Sequence, residues 1–300
     1  MNLEKLGTER RNTETESLDQ MSVMEILKVM NSEDAHVLKA VKCNLPQIEK
    51  AIELCYASLR KGGRMIYIGA GTSGRIGVMD AVECIPTFSS EKVLACMAGG
   101  SAAFVKAKEN VEDDLTQAEK DLNDLAITAK DTVIGLAASG RTPYVLGGLK
   151  YAASLGCSRI SISCSLNSEI ATYADVSIEL DCGPEIITGS TRLKAGTAQK
   201  IVCNMLSTVT MIKLGKTYGN LMVDMKPTNE KLRNRAIRIV TQATGCSEEK
   251  ASEVLRTTEG SSKLAIVCIL CNTDVKHARE LLKKGDGFVR NAILLKDSIV

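Results

Sequence analysis

Hydrophobic positions along this chain follow two alternating rhythms. Five short apolar runs stand out in its middle: Arg64–Ile68, Val93–Met97, Asp131–Ala138, Arg159–Cys164 and Val176–Leu180. Each is rich in aliphatic residues and bounded by turn formers, the pattern of a strand buried on both faces. Between and beside them, apolar residues recur at helical spacing. Pro46 opens one such helix, carrying Ile48, Ile52, Cys55, Tyr56 and Leu59, and Gly62-Gly63 ends it. Further helices are predicted over Ser101–Glu109, Thr116–Leu125, Pro143–Leu155 and Lys194–Leu214, with Pro143 in a first turn. Strands alternating with helices predict an α/β fold: a doubly wound, parallel, five-stranded sheet flanked by helices. In such sheets ligands gather beyond the carboxyl ends of the strands.

The flanking segments follow other patterns. Residues 1–45 are polar and charged, with a helix predicted over Ser22–Met30. An arm of that kind buries little alone and is expected to pack on the main domain or on a partner subunit. The α/β domain is assigned to residues 46–225. From Asn229 the pattern is purely helical, which makes residues 226–300 a small helical domain. Leu232, Ala236, Ile239, Val240 and Ala243 form a stripe, Gly245 suits a helix stop, and Ser247 with Glu248 and Glu249 suits the next start. Two shorter helices follow near Lys263–Cys271 and Thr273–Lys283. This domain carries no evident chemistry and reads as structural or interaction-forming.

Composition narrows the function classes. The 300 residues contain 38 basic and 36 acidic side chains, a net charge of +2 that recruits neither nucleic acid nor a membrane surface. Aromatic content of 3% without Trp leaves no base-stacking platform. No apolar run approaches a membrane span and the N-terminus lacks a signal-peptide core, so a cytoplasmic protein is expected. The eleven cysteines sit mostly inside apolar patterns, such as Cys55, Cys96, Cys164, Cys203 and Cys268, as buried small hydrophobes would. Cys268-Ile269-Leu270-Cys271 has no second pair beside it, and His36 and His277 are the only histidines; no metal is expected.

The candidate chemistry lies at strand ends. After the first strand comes Gly69-Ala70-Gly71-Thr72-Ser73-Gly74-Arg75, leading into a helix that carries Glu83. Its glycines allow a tight turn, Thr72 and Ser73 add hydroxyls, and the helix N-terminus favours an anion. The same letters fit a dinucleotide fingerprint, but no acid stands at the end of the next strand to hold a ribose. A second turn is Ser139-Gly140-Arg141-Thr142, and a third runs from Gly189 through Ser190, Thr191, Arg192 and Lys194 to Gly196. Together they can place hydroxyls, N–H groups and cations around a phosphorylated sugar. Ser and Thr cap helices routinely, and Arg75, Arg141 and Arg192 fit plain surface charge as well. Glu83 is a lone carboxylate in an apolar stretch ending at Pro86, and a backbone cap is its bland alternative. Glu185 fits a structural and a substrate-contacting role equally.

The two turns of form G-x-G-x-S and S-G-x-T resemble the sugar isomerase (SIS) fold. Longer segments resemble the bacterial N-acetylmuramic acid 6-phosphate etherases: Gly69–Arg75 with Glu83-Cys84 and Pro86-Thr87, Ala137–Tyr144, Ile187–Lys200, and Tyr218–Asp224. The similarity runs over essentially the whole chain, including Thr8-Glu9 and the helical tail, which by resemblance is UBA-like. It implies removal of D-lactate from N-acetylmuramic acid 6-phosphate to give N-acetylglucosamine 6-phosphate, in a homodimer without metal or redox cofactor. It implies Glu83 as the acid at the ether oxygen and Glu112 as the base at C2. The implied substrate contacts are Gly71, Thr72, Ser73, Gly74, Arg75, Ser139, Gly140, Arg141, Thr142, Ser190, Thr191 and Lys194. From residues alone Glu112, among Glu109, Asp113 and Asp114, reads as a solvated acidic face. The chain departs from the family pattern at Ile85, at Ser101, in Glu109-Asn110-Val111, and at Leu193. Two rival functions use the same fold: a non-catalytic phosphosugar-binding regulator, and an aldose–ketose isomerase, which also begins with a C2 proton.

Overall fold

A computed structural model describes residues 7–106, 108 and 110–296. Residues 1–6 of the arm, Glu109 with its part in the predicted Ser101–Glu109 helix and the acidic face, and the last four residues of the tail lie outside the described residues. The chain divides into two compact units, Met1–Val82 with Lys92–Ser207, and Glu83–Glu91 with Thr208–Val300.

The first unit holds a five-stranded parallel sheet, β1 (Met65–Gly69), β2 (Val93–Met97), β3 (Thr132–Leu136), β4 (Ser158–Ser163) and β5 (Val176–Glu179), in the order β2-β1-β3-β4-β5. Alternation along β1 sends neighbouring side chains to opposite layers. Ile66 and Ile68 join a buried cluster with Leu122 of α5 (Gln117–Asp124) and Val145 and Leu149 of α6 (Pro143–Ser154). On the other face α2 (Leu45–Arg60) packs on the sheet. There the Tyr67 hydroxyl donates to Asp80 of α3 (Gly71–Phe88) at 2.9 Å and to the Cys203 carbonyl of α7 (Lys194–Lys213). Asp80 also accepts from Asn204 and Ser207. Burial raises the Asp80 pKa, against the lowering pull of these hydrogen bonds. Helices thus cover both faces, as a doubly wound sheet requires.

Among the described residues the arm forms three short 3-10 turns and then α1, Val23–Cys43, which starts with a capping box between Ser22 and Glu25. The helix runs well past the predicted Met30, because Glu33, Val37, Ala40 and Val41 present a buried face in its second half. After β2 comes α4 (Gly100–Val105), shorter than the predicted helix.

The second unit packs α8 (Glu230–Thr244), α9 (Glu248–Thr257), α10 (Ser262–Cys271), α11 (Val275–Lys284) and α12 (Val289–Leu294) around Ile239, Val240, Ala265, Ile266, Val267 and Leu281. Asn229, Ser247, Ser261 and Asp274 cap helices by accepting backbone N–H groups, and Gly245 ends α8 at φ +75°. The sequence reading did not anticipate α12; its six residues are too few to show a period. Asp224 is held by Lys216 at 3.1 Å and Lys263 at 2.8 Å. No described helix is long and apolar enough to cross a membrane. Cys55, Cys164, Cys203 and Cys268 are buried and Cys96 is half-buried.

Candidate active site

The strand order reverses between β1 and β3: the chain leaves β1 for β2 on one side and returns to β3 on the other. Such a switch point opens a crevice at the carboxyl ends of the two central strands. Gly69 and Leu136 are register partners there, so the first and second hydroxyl-rich turns leave the sheet side by side.

The first turn is built by close backbone approach. A Cβ on Gly74 would stand 2.7 Å from the Gly69 carbonyl oxygen, and one on Gly69 would stand 2.8 Å from the Gly74 nitrogen. Gly71 begins α3 at φ +53°, which only glycine adopts without strain. Thr72 is half-buried. Ser73 is buried, and its hydroxyl lies 2.8 Å from Gln199 Oε1 on α7. Arg75 turns away to donate to the Ala103 and Phe104 carbonyls at 2.7 and 3.0 Å, which ties α3 to α4.

The third turn meets the first. A Cβ on Gly196 would touch Thr72 Cγ2 at 3.4 Å and the Thr191 carbonyl at 3.6 Å. Ser190 and Thr191 are half-buried and Arg192 is exposed. The N-terminal arm lies along this turn. Asn12 donates to the Pro184 carbonyl, Thr15 to the Ile186 carbonyl at 3.0 Å, and Glu9 Oε2 stands 3.2 Å from where a Gly189 Cβ would be. The arm therefore packs on the α/β unit, the first of the two places expected for it.

Two charged side chains here take internal partners. Lys194 is 2% exposed, and its ammonium bonds Glu33 of α1 at 2.5 Å. Glu33 also accepts from Asn12 at 2.9 Å. Glu185, also 2% exposed, accepts the Lys194 and Ala195 backbone N–H groups at 3.0 and 2.9 Å. It is the N-terminal cap of α7, where a carboxylate satisfies orphan donors and complements the helix dipole. This is the structural one of the two roles expected for it.

The second turn is shaped by Gly140, at φ +72° with Ser168 so close that a Cβ would fall 2.3 Å from the Ser168 Cβ. Ser139, Arg141 and Thr142 are half-buried at its rim, and Arg141 makes no hydrogen bond or ion pair among the described residues. Glu112 sits exposed on a 3-10 turn, Val111–Asp113. Neighbouring Val111 packs against the core cluster that includes Ala70, Ala98 and Tyr144, which keeps this turn with the β1 and β2 ends. Glu83 is exposed on the second half of α3. Sequence reasoning assigned no role to Gln199 or Glu33. Gln199 carried a usable signal: a polar residue among Ala195, Ala198, Val202 and Leu206 on the buried face of α7.

Comparison with known proteins gives this arrangement a family. The family model of the glucokinase regulatory protein N-terminal SIS domain matches residues 47–153, that of the SIS domain residues 109–209, and that of the C-terminal lid domain of glucokinase regulatory protein residues 219–261. N-acetylmuramic acid 6-phosphate etherase 2 of Lactiplantibacillus plantarum is 54% identical over 98% of this chain and 100% of its own length. The chain belongs to the N-acetylmuramic acid 6-phosphate etherase family. A second etherase, from Oenococcus oeni, is 54% identical over 98% of this chain and 99% of its own, and one from Exiguobacterium is 52% identical over 97% and 100%. Both units are thus part of the etherase architecture. Among solved structures, a phosphoheptose isomerase from Neisseria gonorrhoeae covers 63% of this chain and 98% of its own, with 16% identity and a TM-score of 0.50, a likeness of fold alone.

Proposed function

We propose that the protein cleaves the D-lactyl ether of N-acetylmuramic acid 6-phosphate, giving N-acetylglucosamine 6-phosphate and D-lactate. The observation that carries this reading is end-to-end similarity to etherases at 54% identity. The switch-point crevice, with hydroxyls from three turns and the α3 N-terminus, supports it as a place for the sugar phosphate. The ether oxygen on C3 lies β to the aldehyde carbon of the opened sugar. Removal of the C2 proton gives an enolate-like species that expels lactate, and water then adds across the unsaturated bond at C3. Glu112 is assigned the C2 proton. Glu83 is assigned the proton delivered to the departing ether oxygen and the later guidance of water. The phosphate confines the substrate to the cytoplasm, where the reaction belongs. Incubation in oxygen-18 water tests the reaction: released lactate should be unlabelled and the sugar should carry label at the C3 oxygen. Glu83→Gln should cost on the order of 10²–10⁴ in rate while leaving folding intact; near-normal lactate release would remove Glu83 from the mechanism.

The same reading includes a homodimer. Glu83 follows Ser73 on one helix, and ~1.5 Å of rise per residue sets them about 15 Å apart along its axis. One hexose phosphate does not reach that far from its phosphate to C3. Met79, Val82 and Ile85, beside Glu83 at helical spacing, are 40%, 56% and 50% exposed, an apolar face for a second copy to cover. In that arrangement Glu83 of one copy serves the turns of the other.

A further inference from the structure

We propose that Gln199 is a positioning residue for the phosphate: its side-chain amide decides which way the Ser73 hydroxyl sends its proton. The proposal rests on the reading that the first turn receives the phosphate. A phosphate dianion carries no proton, so Ser73 can hold it only by donating. Ser73 spends its single proton on Gln199 Oε1 at 2.8 Å. At the same time Gln199 Nε2 has no hydrogen-bond partner among the described residues, although Gln199 is 1% exposed. Buried amide N–H groups are rarely left so, because the lost hydration is not replaced.

Rotating the amide end over exchanges two nearly isosteric atoms. Nε2 then donates to Ser73 Oγ, and the Ser73 proton is released toward the crevice. The atom left over becomes a carbonyl oxygen, an orphan that interiors tolerate better than N–H. The two orientations are thus two settings of one hydrogen bond, and an anion at the N-terminus of α3 selects the second. Van der Waals fit is the same in both, so the setting is electrical: anion on one side, oriented amide on the other. Gln199 never touches the reacting atoms; it acts through Ser73. Glutamate at this position has no second setting, since both its oxygens accept the Ser73 proton. Methionine fills the space and claims nothing.

Calorimetric titration with N-acetylglucosamine 6-phosphate, beside steady-state kinetics on N-acetylmuramic acid 6-phosphate, tests this. Gln199→Glu should weaken sugar-phosphate binding and raise KM by about 10–100-fold, the loss of one charge-assisted hydrogen bond, with a much smaller change in kcat. Gln199→Met, which neither captures the Ser73 proton nor orients it, should raise KM severalfold with kcat little changed, an intermediate loss. In a Ser73→Ala background the Gln199→Glu penalty should largely vanish, because no proton remains to be captured. A Met variant as impaired as the Glu variant would show a packing role and overturn the proposal, as would a Glu penalty undiminished by Ser73→Ala. Wild-type binding that Gln199→Glu leaves intact would overturn this proposal alone. A wild-type protein that ignores the sugar phosphate would overturn the phosphate reading of the turn and the proposal with it.

Discussion

Lys194 shows how much a single side chain's meaning depends on its partner. Its place after Gly189-Ser190-Thr191 reads as a cation for a phosphate, yet its ammonium is buried against Glu33, far away in the chain. The pair fixes the arm to the start of α7, beside the turn that the candidate site uses. Removing one partner of a buried pair strands the other charge. Glu33→Gln is therefore expected to destabilise the protein by about 3–5 kcal/mol, whereas Glu33→Leu with Lys194→Met should cost far less. Urea unfolding midpoints of the two variants decide it; equal losses would show that the pair matters only as packing. Glu185 makes the same point from the other sign, as a carboxylate whose two oxygens both serve backbone N–H groups of α7. Neither partnership was legible in the sequence, because nothing local announces a partner that folding brings from another element.

At the scale of elements, strands and helices were readable where several consecutive residues vote alike. Four of the five strands appear within one residue of the predicted runs, and β3 stops two residues short of Ala138. Errors fell where length was set by packing, as in α1, or where an element was too short to show a period, as in α12. The β1–α3 turn was readable too, since its glycines are demanded by space. Gly74→Ala puts a methyl against the Gly69 carbonyl and against Met97 Cβ at 2.9 Å. We expect a loss of about 1–3 kcal/mol, as for other overpacked sites, with weakened sugar-phosphate binding. Gly71→Ala meets no atom within 4 Å and should cost only the left-handed backbone conformation, about 1–2 kcal/mol. Denaturant titration of both separates steric from conformational cost; a harmless Gly74→Ala would mean that the turn relaxes.

For the whole molecule, the proposed homodimer makes a prediction that no single-chain enzyme shares. Glu83→Gln and Glu112→Gln proteins should each be nearly inactive. Unfolded together and refolded as a mixture, they should recover a fraction of wild-type activity, since mixed dimers hold one site with both carboxylates intact. No recovery in a mixture shown to exchange subunits would place both residues in the same chain's site. Consecutive residues were enough to specify the α/β alternation, the helix caps, the glycine-tight first turn and the family, because propensity, periodicity and steric demand act between near neighbours. Strand order, and with it the crevice between β1 and β3, waited on the folded chain. So did the burial of Lys194, the capping by Glu185 and the meeting of Ser73 with Gln199. Each joins residues distant in sequence, and distant groups acquire partners, dielectric surroundings and hydrogen-bond direction only when the chain closes around them.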